Sequence, residues 1–125
     1  NCSLFQTKKH PNWIDKNTFR ITAKARPNTE ITDTEKRKSS CKEHAIIMAQ
    51  YKILVQFRDY DKPAPNCGCG SGKERMLNPA IKQAIKNGTI IALTYSARQY
   101  CSITYEIKKQ GLKKLVTEKL FIEKK

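Results

Sequence analysis

Cys41, Cys67, Cys69 and Cys101 are the residues of this chain best suited to covalent or metal chemistry. Cys41 and His44 stand three apart, so a helix puts them on one face, and with Cys67 and Cys69 they make a Cys3His set of the kind that holds structural zinc. That defines one alternative, a structural zinc-binding domain with Cys41, His44, Cys67 and Cys69 as ligands. Spacing argues against it, because zinc knuckles use C-x2-C and the Cys67-Gly68-Cys69 unit is C-x-C. The favoured reading is disulfide chemistry with no metal and no cofactor. Direct closure of Cys67 onto Cys69 is sterically poor, so Cys41 and Cys101 are each expected to pair with one member of that unit, stapling the loop that carries it.

Other chemistry fails on inspection. Gly68 to Lys73 faintly suggests a phosphate loop, but Cys67 stands where the first glycine belongs and Glu74 follows the lysine. Ser39-Ser40 near His44 has neither a nucleophile-elbow turn nor an orienting carboxylate. Asp59 and Asp61 flank Tyr60 at a loop entrance, where turn formation accounts for them better than acid–base work. The sequence argues against an enzyme.

The fifth cysteine is Cys2, preceded by Asn1 and followed by Ser3 and a polar stretch. This looks like the end of a lipobox, in which the cysteine becomes the lipidated first residue of a bacterial lipoprotein and a membrane is the partner. Residues 1–12 then read as a flexible tether, and 13–125 as a single domain in which Trp13 is the first residue to dock. At ~3.3 Å per residue the tether spans up to about 35 Å. No apolar run approaches the roughly 18 residues of a membrane helix. The 25 Lys and Arg against 11 Asp and Glu, a net charge of +14, create a field that draws polyanions. The basic residues are scattered and no aromatic-basic RNP pattern exists, which argues against nucleic acid. An unanchored basic protein binding nucleic acid or a polyanionic glycan stays as the alternative function. At the chain end, Lys124-Lys125 pairs an ammonium with a free carboxylate, a zwitterion that lysine-binding kringle modules capture, and so a candidate contact for a protein partner in the envelope or host.

These groups must be positioned by a small α+β fold. Thr18 to Ala25 alternates apolar and polar residues, predicting a strand with Phe19, Ile21 and Ala23 inward. Thr32 and Glu35 form a capping box, and a long helix to about Phe57 follows. Its second half is apolar on most sides, which predicts cover by more than one layer or by a partner. Asp59 to Arg75 is dense in Gly and Pro and reads as loop, and Pro79 to Asn87 as a short helix. Thr89 to Tyr95 and Cys101 to Lys108 alternate and pair as a hairpin. Leu112 to Lys125 suits either a helix or a short strand. The expected architecture is an antiparallel sheet of about three to four strands packed by one long and one short helix, with a disulfide-stapled loop.

The lipid-type Cys2, the polar tether, Pro11-x-Trp13-Ile14, the strand ending Thr22-Ala23-Lys24-Ala25, the helix with Ala49-Gln50, and a hairpin followed by Gly111-Leu112 together resemble the Lpp-twenty family of small bacterial envelope lipoproteins. That family's fold is similar to the N-terminal domain of a flagellar assembly protein. The resemblance implies a helix packed on a small antiparallel sheet, an outer-membrane location and no catalytic site. It also implies a surface antigen acting as a binding or structural component of the envelope, facing the periplasm or the outside. Ser3 after the lipid-type cysteine fits outer-membrane sorting.

Overall fold

The computed structural model describes residues 12–60, 75–98 and 100–123. The chain order is β1 (Trp13–Asp15), β2 (Thr18–Ala25), α1 (Thr34–Arg58), β3 (Arg75–Leu77), α2 (Pro79–Lys86), β4 (Thr89–Tyr95), β5 (Cys101–Lys108), α3 (Leu112–Lys119) and β6 (Phe121–Glu123). Four strands form an antiparallel sheet in the order β1-β2-β5-β4, and β3 pairs with β6 in a small second sheet. The fold is thus α+β as expected, with a third helix that the sequence left open. Of the stretch beginning at Leu112, residues 112–123 prove to be helix and then strand.

Period-two alternation fixes which face of β2 and β5 is dry. Phe19, Ile21, Ala23 and Ala25 are buried and lie opposite Ile107, Tyr105, Ile103 and Cys101 of β5. On α1 the buried row is Cys41, Ala45, Ala49, Ile53 and Phe57, one residue in four. Small side chains come first and large ones last, which matches β2 read backwards from Ala25 to Phe19. The helix therefore lies antiparallel on the strand, close at its start and propped apart by aromatic rings at its end. Only this one row is buried, and the broad apolar character of α1 leaves Ile47, Met48, Tyr51 and Val55 exposed.

The helix begins one residue later than the Thr32 capping box predicts. Asp33 is the N-cap and its carboxylate accepts from the backbone N–H groups of Glu35 and Lys36. An anionic acceptor at the positive end of the helix dipole outcompetes a neutral hydroxyl.

At the far end Trp13 docks as expected. Its indole meets Phe19 edge-on at 4.8 Å and stacks on Phe57 at 5.8 Å, while Nε1 donates to the Tyr60 hydroxyl at 2.9 Å. Burial raises the Tyr60 pKa. Because the indole is half-buried, Trp13→Ala is expected to cost about 2–3 kcal/mol, below the fully buried case. A urea midpoint equal to that of the parent would refute the docking role.

The staple differs from expectation. Cys41 and Cys101 are bonded to each other across a separation of 60 residues, not to the Cys67-Gly68-Cys69 unit. The register explains it: Cys101 sits opposite Ala25, α1 crosses the same residue, and both sulfurs lie beside the Ala25 carbonyl oxygen at 3.3 and 4.0 Å. Their Cα atoms are 6.2 Å apart, within reach of a bridge. The staple therefore joins the long helix to the sheet, and neither cysteine ties the 61–74 stretch.

On the edge opposite β1, β4 pairs only with β5 among the described residues. Its sequence, TIIALTY, contains no charged residue, and an irregularity between Ile90 and Ala92 turns Ile91 outward to 43% exposure.

Candidate functional site

The disulfide ends of β2, β4 and β5 form a rim. Here the hairpin turn is set by Ser96, whose N–H donates to the Tyr100 carbonyl at 2.8 Å and whose hydroxyl accepts from the N–H groups of Arg98 and Tyr100 at 3.3 and 3.1 Å. A serine closing its own turn is a local device that needs no distant partner. It leaves Arg98 and Tyr100 standing out over the rim.

Beside the turn is a hollow of about 560 Å³. Lys24 reaches it from the polar face of β2, Thr94 and Ser102 from β4 and β5, and Ser96, Arg98 and Tyr100 from the turn. Tyr95 and Cys101 complete the wall. The Tyr95 hydroxyl donates to the Lys38 carbonyl at 3.3 Å, which fixes that ring against the start of α1. A second hollow of about 480 Å³ lies on the helix side, lined by Lys24, Ala25, Arg26, His44, Met48 and Tyr100. Lys24 and Tyr100 border both hollows and form the ridge between them.

Among the described residues no carboxylate lines either hollow. The lining offers three permanent cations (Lys24, Arg26 and Arg98), several hydroxyls and one tyrosine ring that is 42% exposed. Arginine supplies a planar donor fork, lysine a point charge, the serine and threonine hydroxyls both donate and accept, and the tyrosine ring gives an apolar plate. Such a surface suits a ligand that is anionic, rich in hydroxyls and flat on one side. At the opposite end of the sheet's polar face the cations have an anionic partner. There the Glu106 carboxylate pairs with Arg20 and lies 3.6 Å from Lys108 Nζ, and the Arg20 hydrogen bond holds its pKa below the ordinary value.

The residues singled out from the sequence fare unequally. Cys41 is committed to Cys101, so it offers no thiolate and the Cys41, His44, Cys67, Cys69 zinc set loses a ligand. His44 is exposed on α1 and belongs to the second hollow. Asp59 is the C-cap of α1, its N–H donating to the Gln56 carbonyl at 3.1 Å, which accounts for its position. Cys2, Asp61, Cys67, Cys69, the Gly68 to Lys73 stretch, Lys124 and Lys125 lie outside the described residues. The Lys24, Arg98 and Tyr100 grouping escaped sequence reasoning. Its only signal was the β4–β5 hairpin, which fixes Arg98 and Tyr100 at the turn but says nothing of Lys24 until the register sets Lys24 opposite Ser102. No protein-family model, curated protein or solved structure matches the chain.

Proposed function

We propose that the chain is a bacterial outer-membrane lipoprotein, anchored through Cys2, whose domain is a non-catalytic module that binds anionic saccharide at the rim formed by Lys24, Arg98 and Tyr100. The observation that carries the binding reading is the cation- and hydroxyl-lined rim, with no lining carboxylate among the described residues. The anchor rests on Cys2 and the polar stretch after it. Two or more acyl chains, each buried CH2 contributing about 0.8 kcal/mol, make such attachment stable. The long-range field of a +14 chain raises encounter rates with any polyanion, and the rim supplies the place where one is held.

Two measurements test the two halves. Intact mass of the native protein from its envelope should show acyl mass on Cys2, and an unmodified thiol there removes the anchor. For the rim, a sulfated oligosaccharide is titrated calorimetrically into the parent, into Lys24→Glu with Arg98→Glu, and into Lys113→Glu with Lys114→Glu, which changes the net charge equally on α3. The rim pair is expected to weaken binding by at least about tenfold and the α3 pair by about twofold, since exposed distant charges are screened beyond ~10 Å. Equal losses from both pairs would assign binding to diffuse charge and end the rim proposal.

A further inference from the structure

The two hollows at the disulfide end differ in chemistry although they share a wall. The first, of about 560 Å³, carries the hydroxyls of Thr94, Ser96 and Ser102 beside Lys24 and Arg98. The second, of about 480 Å³, is unlike it: among the described residues no serine or threonine lines it. It lies between the end of β2 and the flank of α1, where His44 and Met48 stand one helical turn apart and so sit side by side. Ala25 and the Tyr100 ring add further carbon surface, and Lys24 and Arg26 contribute aliphatic stems whose charged ends belong at the water boundary. The floor is therefore apolar and the mouth cationic. A thioether on three rotatable bonds lets such a wall fit tails of differing shape.

We infer that the ligand of this end of the molecule is an amphiphile, an anionic saccharide bearing an alkyl or acyl tail, with the sugar in the first hollow and the tail in the second. The inference rests on the saccharide reading of the rim and adds the apolar half of the ligand to it. Continuity carries the step: Lys24 and Tyr100 line both hollows, so a sugar held against them has its substituent at the edge of the second. Each hollow falls within the ~300–1,000 Å³ of small-molecule sites, and each supplies what the other lacks. Charge selects the head, because Lys24, Arg26 and Arg98 line the two hollows and no carboxylate among the described residues does. A bare polyanion leaves the apolar floor wet.

Calorimetry with hexyl and methyl β-D-glucuronide, and with hexyl β-D-glucoside as the uncharged counterpart, all below their micellar thresholds, separates head from tail. Hexyl glucuronide is expected to bind at least about tenfold more tightly than either of the others. Full burial of the added CH2 groups would give more, but Met48 and Tyr100 are 39% and 42% exposed, so the tail is covered only in part. Met48→Ser should remove most of the gain and leave methyl glucuronide unchanged, whereas Ile47→Ser, which strips apolar surface from the same helix outside the hollow, should alter neither. The Met48 methyl resonance should shift with the hexyl glucuronide and not with the methyl one. No binding of hexyl glucuronide at millimolar concentration, or equal affinities for the hexyl and methyl glucuronides, overturns the proposal. So does equal affinity for hexyl glucuronide and hexyl glucoside, or a tail effect that survives Met48→Ser. Binding to sugar-free anionic phospholipid vesicles that Met48→Ser weakens as much would also overturn it, by making the hollow part of a membrane-facing surface. The rim reading fails separately, on equal losses of sulfated oligosaccharide binding from the rim and α3 charge pairs.

Discussion

Replacing Cys41 and Cys101 together by alanine should lower stability by about 4 kcal/mol, the figure that loop-closure entropy gives for a bridge spanning some 60 residues. For a chain of this size that is a fall in melting temperature of about 15 °C. The effect is expected to be large because the bridge ties the two layers directly, joining the start of α1 to the start of β5 while both cysteines are buried. The urea m-value should rise as well, since an uncrosslinked unfolded chain exposes more surface. Peptide mapping without reductant should recover the Cys41 and Cys101 peptides as one species. Midpoints in urea that do not separate the variant from the parent, or Cys41 linked to Cys67 or Cys69, would contradict the staple.

The second large effect is expected at Gly88. A Cβ placed there would stand 2.3 Å from Cζ of Tyr105, 2.4 Å from Cε2 and 2.6 Å from the hydroxyl oxygen, distances that no side chain tolerates. The ring has no room to retreat. Tyr105 is 2% exposed, and its hydroxyl donates to the Ile85 carbonyl at 2.6 Å while accepting from Gln50 Nε2 at 3.0 Å. One side chain thus binds α1, α2 and the sheet together. Gly88→Ala should cost about 3 kcal/mol, overpacking compounded by disruption of a buried hydroxyl's partners. The mechanism has its own signature in a double-mutant cycle: Tyr105→Leu should cost less in the Gly88→Ala background than in the parent, because the leucine removes the clash. Additive costs would show that Gly88 is required for some other reason.

Where local chemistry decides structure, the sequence was legible. Alternation located Thr18–Ala25 and Cys101–Lys108 to the residue and, despite the irregularity at Ile91, Thr89–Tyr95, while Pro79 with the Asn87-Gly88 stop bounded α2. The start of α1 slipped by one position because two adjacent residues, Thr32 and Asp33, both make acceptable caps and only the geometry chooses the carboxylate. The disulfide was not legible, since its pairing depends on the strand register that sets Cys101 opposite Ala25 and on the angle at which α1 crosses. The rim is hidden for the same reason: Lys24 and Arg98 come from separate parts of the chain, and each alone is an ordinary exposed charge. The apolar breadth of α1 was visible, but whether it meant cover or exposure was a tertiary question.

The uncharged outer strand β4 casts the lysine surplus in another light. Seven residues of high β-propensity without a gatekeeper charge are the kind of segment that zips edge to edge into fibrils. The irregularity at Ile91 disturbs that edge, and no charge on the strand itself guards it. Protection then falls to the whole molecule: fourteen net positive charges keep copies apart as a colloid is kept dispersed, by mutual repulsion over about a Debye length. Solubility in this protein is accordingly an ionic-strength-dependent property, and the same cations that draw a polyanion are neutralised when one arrives, so a bound polymer would also lower the barrier to strand-to-strand assembly of its carriers.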